Sequence, residues 1–175
     1  AEGTISPLRL SDTELVVVFR SLQGRMRSVR APLHMTKWEE LGFPEDSSVP
    51  RATALSRMTM RGLVAFGHRT GLATIWRYQA QGAHAWRQVR AVTVSHHDWE
   101  SVTLAVLSED GRLLLAASED NVMLFHMPVQ GEPKELFHLH GGASQVTAGS
   151  VLRLVHEEPR YLVVLAMQRG GLQGW

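Results

Sequence analysis

Four similar segments follow one another along the chain, and this repeat limits its possible folds more than any other feature. Anchor residues lie 47, 49 and 50 residues apart, at Val29, Trp76, Phe125 and Trp175. Each anchor follows an apolar run, at residues 15–19, 63–66, 113–116 and 161–165. A third landmark precedes each run with spacings of 47, 49 and 48, at Leu8, Leu55, Leu104 and Leu152. Three landmarks that keep one phase through four copies predict a repeat architecture and not one continuous core.

The third segment resembles a repeat of the WD40 family. After a His-containing entry and an apolar strand come an acidic turn with glycine, a strand of small apolar residues, a second acidic turn and a strand ending on an aromatic residue. These parts lie at 95–98, 101–107, 108–111, 112–117, 118–121 and 122–125. The second segment matches at 71–76, and the fourth at 140–142 and 170–175. The resemblance implies an all-β fold, a β-propeller segment of four-stranded antiparallel blades that is part of a larger closed propeller.

The chain also departs from the family pattern. It has no Trp-Asp dipeptide, because Arg77 follows Trp76 and His126 follows Phe125. The turn that carries an acid in the family has arginine at Arg69 in the second segment and at Arg169 in the fourth. The family's structural histidine, which makes a hydrogen bond within its blade, falls near His97. These departures make the chain a divergent member of the pattern.

The repeat predicts a single propeller segment over residues 1–175. Its blade units are approximately 1–31, 51–78, 99–127 and 145–175, with an insertion at 32–50. In the insertion, Thr36 could cap a short helix from Lys37 to Leu41; the alternative is the outer strand of the first blade with a decorated connection. Closed propellers have about four to eight blades, so we expect further blades on the same polypeptide or closure with another chain. The competing fold is a pair of small α+β domains.

Several residues are predicted to hold the blades together. Asp110-Gly111 lies between two apolar runs and predicts a hairpin turn, because glycine adopts positive φ and aspartate bonds its own backbone. Arg61-Gly62 has the same place one repeat earlier. The predicted structural anchors are Trp76, Asp110, Gly111, Phe125 and Trp175. Residues near Val17, Val64, Leu114 and Val163 are predicted to lie in equivalent, buried central strands.

Composition narrows the possible functions. With no cysteine, the chain has no disulfide, thiolate metal site or cysteine nucleophile. The sequence shows neither a cationic leader nor a long apolar run, which favours an intracellular protein without membrane insertion. His138 and His140 share one strand face and could bind zinc with help from 96–98, but an exposed outer strand is expected there, so no metal is predicted. Phosphate-binding and hydrolase motifs are absent. We therefore expect no catalytic residues, cofactor or small-molecule substrate.

Charge is distributed unevenly although the net charge is only +1. Residues 1–90 carry 13 basic and seven acidic side chains, whereas residues 91–175 carry five and ten. The predicted interaction surface, for an acidic partner, consists of Arg25, Arg27, Arg30, Trp38 and Glu39. The sequence favours a non-enzymatic protein–protein scaffold in a multisubunit complex, whose partners are other subunits or the rest of the propeller. The alternatives are an Arg-rich propeller associated with nucleic acid or a ribonucleoprotein, and a propeller hydrolase.

Overall fold

The computed structural model describes residues 5–9, 13–21, 23, 25–32, 37–43, 51–81, 85–97, 99–140, 146–154, 160–168 and 171–174. These residues form four antiparallel sheets, which we call A to D, and no helix. Sheet A contains β1 (Ile5–Arg9), β2 (Glu14–Arg20), β3 (Met26–Pro32) and β4 (Glu39–Leu41). Sheet B contains β5 (Ala52–Leu55), β6 (Leu63–His68), β7 (Leu72–Tyr78) and β8 (Trp86–Thr93). Sheet C contains β9 (Leu104–Leu107), β10 (Leu113–Ala117), β11 (Asn121–His126) and β12 (Lys134–His140). Sheet D contains β13 (Val146–Leu154), β14 (Arg160–Met167) and β15 (Gly171–Gly174).

Strand pairing explains the spacing of the sequence landmarks. Val17 pairs with Val29, Val64 with Trp76 and Leu114 with Phe125, always between the second and third strands of a sheet. The predicted equivalence of the second strands is confirmed, and Val163 lies in β14, the matching strand of sheet D. Trp175 lies outside the described residues. Val64, Leu114 and Val163 are buried as predicted, but Val17 is only half-buried.

Each leucine landmark lies in the same strand of its sheet, but its pairing partner on the second strand is shifted from one sheet to the next. Leu8, Leu55, Leu104 and Leu152 all lie in the first strand of a sheet. Leu55 pairs with Phe66, two residues beyond the Val64 landmark. Leu104 pairs with Ala117, three residues beyond Leu114. Small differences in the turns therefore shift the first strand of each sheet while the second and third strands keep their pairing.

Three apolar clusters join the sheets in chain order, A to B, B to C and C to D. Side chains alternate between the two faces of a strand, so the central strand of an inner sheet serves two clusters. In β10, Leu114 and Ala116 pack toward sheet B, whereas Leu115 and Ala117 pack toward sheet D. Among the described residues, no hydrophobic cluster connects sheet A with sheet D. The four sheets therefore form an open row.

The first strands of the sheets lie on the inner side of this row. The strand β5 contacts β2 and β9, and β9 contacts β13, whereas β8 and β12 pack chiefly on their own sheets. The outer strands β8 and β12 extend sheets B and C beyond the units expected at 51–78 and 99–127. This order, from an inner first strand to an outer last strand, is that of propeller blades.

Of the two alternatives for the segment after Thr36, the outer strand of the first blade is confirmed and the helix from Lys37 to Leu41 is wrong. Glu39–Leu41 form β4, the outer strand of sheet A, inside the segment expected to be an insertion. The hydroxyl of Ser28 donates a hydrogen bond of 2.8 Å to the carbonyl of Leu41, and Glu40 pairs with Val29 on β3. Pairing with an existing sheet edge thus prevails over a local capping pattern, since a single helical turn gains little by itself.

The outward faces of the two terminal sheets are apolar and incompletely covered. On sheet A, Leu15, Val17 and Phe19 alternate with the buried Val16 and Val18, and each of the three is only half-buried. The same pattern occurs in β14 of sheet D, where half-buried side chains alternate with buried ones. This face also contains exposed leucines of β13; its apolar residues are Leu152, Leu154, Leu162, Val164 and Ala166. Both faces have the composition of a sheet that packs against another sheet.

Candidate interaction surfaces

The structure places most of the predicted interaction residues on or beside β3 and β4, but their positive charge is largely paired. The Arg27 guanidinium lies 2.9 Å from the Glu40 carboxylate. Arg30 is hydrogen-bonded to Glu39 and lies 3.3 Å from Glu14. The hydrogen bond to Glu39 raises the pKa of Arg30. Glu39 lies directly opposite Arg30 across the two strands, whereas Glu40 lies opposite Val29 and reaches Arg27 diagonally on the same face.

The remaining two predicted residues flank these pairs. Trp38 precedes β4 and is 59% exposed. Arg25 is exposed beside the start of β3, and its backbone N–H donates to the hydroxyl of Ser21. Arg27 is paired with the outward-facing Phe19 and Arg30 with Val16 of the face toward sheet B, so the two ion pairs lie on opposite faces of sheet A.

A different group of arginines lines a cleft between sheets B and C. The cleft has a volume of about 340 Å³ and lies at the end of the sheets where the β5–β6 and β9–β10 hairpins turn. Its buried lining is apolar and includes Leu63, Ile75 and Met127. The arginines that line it are Arg61, Arg77, Arg87, Arg90 and Arg112. We call this feature the arginine cleft.

These five arginines have no carboxylate partner within the described part of the chain. Sheet B cannot supply one, because the sequence has no aspartate or glutamate from residue 47 to residue 97. Asp110 lines the cleft as well, but its carboxylate accepts hydrogen bonds from Tyr161 and Ser108 and lies 3.9 Å from Arg153. The arginine cleft is therefore strongly positive.

Two features of β7 and β8 shape the cleft. Arg77 and Arg87 are directly opposite each other across the strand pair, an arrangement of like charges that is unfavourable in a sheet. The register shifts between Ile75 and Trp76, which leaves Val89 without a partner and marks a β-bulge. Arg90 donates to the carbonyl of Val89, while its buried Nε has no partner among the described residues.

Sequence reasoning missed this cleft. The sequence pattern places Arg61 in a turn, whereas the cleft collects arginines from two sheets. The available signal was the long segment without a carboxylate, which contains seven arginines from Arg51 to Arg90. That segment indicates unpaired positive charge, but only the packing of sheet B on sheet C shows where the charge is concentrated.

The predicted Asp110-Gly111 hairpin is present between β9 and β10. Gly111 has a φ of 69°, and its N–H donates to the carbonyl of Ser108. The Asp110 carboxylate accepts from the backbone N–H of Arg112 at 3.1 Å and from the Tyr161 hydroxyl of sheet D at 2.7 Å. Burial raises the pKa of Asp110, but the hydrogen bonds from Tyr161, Ser108 and Arg112 outweigh burial and lower it overall. Asp110 thus joins two blades besides forming its turn.

Trp76 and Phe125, the aromatic anchors, are 4% and 6% exposed. The Trp76 indole donates to the Thr74 hydroxyl at 3.0 Å, and His68 lies 2.7 Å from the same oxygen. Phe43 packs edge-on against Trp76, with ring centroids 5.6 Å apart. His97, expected near the structural histidine, is instead exposed and stacks on Trp99. The buried histidine of this region is His68.

Glu100 is the centre of a buried polar network that sequence reasoning also missed. Its side chain is completely buried and accepts hydrogen bonds from Ser95 and Ser118. The Asp120 backbone N–H donates to it at 2.9 Å and the Asn121 amide at 3.3 Å. Burial raises the pKa of Glu100, but these hydrogen bonds outweigh that effect and lower the pKa below its ordinary value.

The network around Glu100 also includes His138 and His140, the two histidines considered as zinc ligands in the sequence. Asn121 donates from its amide nitrogen to Glu100, so its oxygen accepts from Nε2 of His138 at 2.8 Å and from Nδ1 of His140 at 3.0 Å. The described residues contain no group of three or more acidic, histidine or cysteine side chains that could hold a metal ion. The pair therefore belongs to the side-chain network that ties β11 to β12.

A second cleft, of about 580 Å³, follows the inner strands β5, β9 and β13. Its ionisable lining in the described part of the chain consists of Arg57, Glu109 and Arg153. This is the position of the central channel in a propeller. No helix in the described residues is long and apolar enough to cross a membrane.

Solved structures similar to this one are β-propellers, and the chain has a WD40-like β-propeller fold. KlAtg21, solved in complex with the coiled coil of AgAtg16, superposes with a TM-score of 0.65 at 10% identity, over 98% of this chain and 52% of that one. Sqt1 of Saccharomyces cerevisiae has a TM-score of 0.57 at 22% identity, over 91% and 41%. AofleA of Arthrobotrys oligospora has a TM-score of 0.60 at 11% identity, over 98% and 52%. The chain thus spans about half the length of these structures.

No protein-family model and no curated protein sequence matches the chain. The likeness to solved structures, at these low identities, concerns the fold. The function of the chain is therefore inferred from its own surfaces.

Proposed function

We propose that this chain is a non-enzymatic interaction scaffold, a portion of a WD40-like propeller within a multiprotein complex. The observation that carries the proposal is the pair of apolar outward faces on sheets A and D. An inner sheet such as C covers both of its faces with neighbouring sheets. Sheets A and D have apolar side chains of the same kind on a face that nothing in the described row of sheets covers.

Further propeller sheets are the occupants that best fit these faces. Each face has apolar side chains at alternate positions of a central strand, the pattern that the inner sheets use toward their neighbours. Such sheets belong either to the same polypeptide or to a partner subunit. The absence of cysteine suits a protein of the reducing interior of the cell.

The predicted surface around β4 is a second point of contact in this proposal. Trp38 is exposed and directly precedes β4, and tryptophan and arginine are among the residue types that most often dominate interface energies. Since Arg27 and Arg30 are already paired with glutamates, the indole and Arg25 are expected to contribute more than the paired charges. Charge reversal of Arg25, Arg27 and Arg30 that left assembly unchanged would assign these arginines to ordinary surface.

Sedimentation velocity on the purified chain tests the role of the apolar faces. We expect association at micromolar concentration, since exposed apolar faces and sheet edges favour it. Leu152→Lys, on the open face of sheet D, should shift the chain toward monomer. Leu136→Lys is the matched control, because Leu136 is similarly exposed, 58% against 50%, but lies on the outer strand β12. A stable monomer of the unmodified chain, or equal effects of the two variants, would contradict the proposal.

A further inference from the structure

The arginine cleft has the properties of a binding site that the fold itself does not require. Four of its five guanidinium groups come from turns and strand ends at one rim of sheets B and C, and the fifth, that of Arg90, comes from the middle of β8. The arginines of sheet A are paired with Glu39 and Glu40, whereas Arg61, Arg77, Arg87 and Arg112 are exposed to solvent at the cleft. In the cleft, the described residues offer no free carboxylate to these arginines.

The strand pairing increases this charge concentration. Arg77 and Arg87 occupy one cross-strand pair on the face that turns toward sheet C, the face to which Ile75 also belongs. Like charges directly opposite each other are destabilising, and a bound anion would relieve that repulsion. The bulge beside them lies at Val89, and bulges are frequent where a sheet presents side chains to a ligand.

The lining of the cleft distinguishes between possible anions. Leu63, Ile75 and Met127 form its buried part, and the exposed Val129 lies at its edge. A phosphate group alone is wholly polar and would make no favourable contact with the apolar lining. A peptide with both carboxylates and an apolar side chain would use the arginines and the apolar lining together, since arginine pairs with carboxylates in a bidentate geometry. The volume is at the small end of ligand pockets, which hold about 300–1,000 Å³.

We infer that the arginine cleft between sheets B and C binds an acidic peptide segment of a partner protein, anchored by one apolar side chain. This inference names a partner chemistry for the proposed scaffold and rests on that function. The carboxylates pair with Arg77, Arg87 and Arg112 at the rim, and the apolar side chain contacts the lining near Met127.

Fluorescence anisotropy with a labelled glutamate-rich peptide containing one leucine tests the inference on the full chain. We expect saturable binding that weakens by about tenfold, equivalent to about 1.4 kcal/mol, in Arg77→Glu/Arg87→Glu. The matched control is Arg51→Glu/Arg69→Glu, which makes the same change in charge at exposed arginines of sheet B outside the cleft. Replacing the leucine of the peptide by serine should also weaken binding, whereas replacing its glutamates by glutamine should abolish it.

Several outcomes would overturn the inference. Equal losses in the two double variants would mean non-specific attraction to a basic surface. Displacement of the peptide by inorganic phosphate or by a DNA duplex at lower concentration than by unlabelled peptide would assign the cleft to phosphate groups. If the double variant fails to fold, as judged by circular dichroism, Arg77→Gln alone supplies the comparison, and unchanged affinity of that variant overturns the inference.

The failures of the two proposals can be told apart. If the chain associates through its terminal faces but does not bind the peptide, the scaffold function stands and the inference about the cleft fails. If the chain binds the peptide but sediments as a monomer, the cleft stands and the proposed closure by further sheets fails.

Discussion

The hydroxyl of Tyr161 on β14 donates a hydrogen bond of 2.7 Å to the carboxylate of Asp110 in the β9–β10 turn. This contact joins sheets C and D at the rim, beyond the apolar cluster that packs them together. Asp110 is 10% exposed, so the bond is largely removed from water. A residue predicted from the sequence as a turn former therefore also stabilises the interface between two blades.

Tyr161→Phe should lower the free energy of unfolding by about 1.5–3 kcal/mol, because a hydrogen bond to a charged group contributes about that amount. Equilibrium urea titration measures the change. In a double-mutant cycle with Asp110→Ala, the two losses should not add, since both variants remove the same contact. Additive losses would show that the hydroxyl and the carboxylate act independently.

Acid should destabilise the chain through Asp110 and Glu100. The pKa of each carboxyl group in the folded state lies below its ordinary value, 3.8 for Asp110 and 4.5 for Glu100. Their contribution to stability is therefore fully present above those ordinary values and is lost as the pH falls through the lower folded-state values. Urea titrations at a series of pH values should show a smaller acid dependence in Glu100→Gln than in the unmodified chain.

Trp76→Ala and Phe125→Ala should each lower the free energy of unfolding by about 3–5 kcal/mol, as large-to-small changes of buried aromatic residues do. Trp76 packs between sheets A and B, whereas Phe125 packs between sheets B and C. Trp99→Ala is the control, because that indole is 70% exposed. A loss below about 1 kcal/mol for either anchor in a denaturant titration would show that its side chain is not part of the core.

Gly111→Ala should destabilise the chain more than Gly131→Ala. Both glycines have positive φ, 69° and 90°, where a side chain costs roughly 1–2 kcal/mol. A methyl group at Gly111 would also lie 2.6 Å from Cδ1 of Leu63 in the neighbouring sheet, whereas none of the described atoms lies within 4 Å at Gly131. Thermal unfolding of the two variants measures the difference. Equal midpoints would show that Leu63 moves aside without cost.

Arg77→Gln should raise the free energy of unfolding by about 0.2–1 kcal/mol, because it removes the repulsion from Arg87 directly opposite. The expected gain in stability at the expense of binding is common at functional sites. Arg69→Gln, in an exposed turn, serves as the control and should have little effect. A loss of stability in Arg77→Gln would indicate that the guanidinium has a favourable partner in the folded chain.

The repeat pattern in the sequence predicts four units and correctly locates the second strand of each sheet, although the outer strands β4, β8 and β12 lie outside the predicted units. The landmarks keep a regular spacing because short strands joined by tight turns set the number of residues between paired positions such as Val64 and Trp76. The turn at Asp110-Gly111 was predictable for the same local reason, since only a few residue types adopt its backbone conformation.

The contacts between side chains of different sheets depend on tertiary packing and could not be read from the local pattern. Tyr161 and Asp110 are distant in sequence but form a hydrogen bond. Arg77 and Arg112 are also distant in sequence but line one cleft. The burial of Glu100 likewise depends on residues from other parts of the chain. The helix expected near Lys37 was wrong for a related reason, because the edge of β3 was available to pair with Glu39–Leu41. Local patterns specify strands and turns, whereas the charge and exposure of a surface depend on what packs against it.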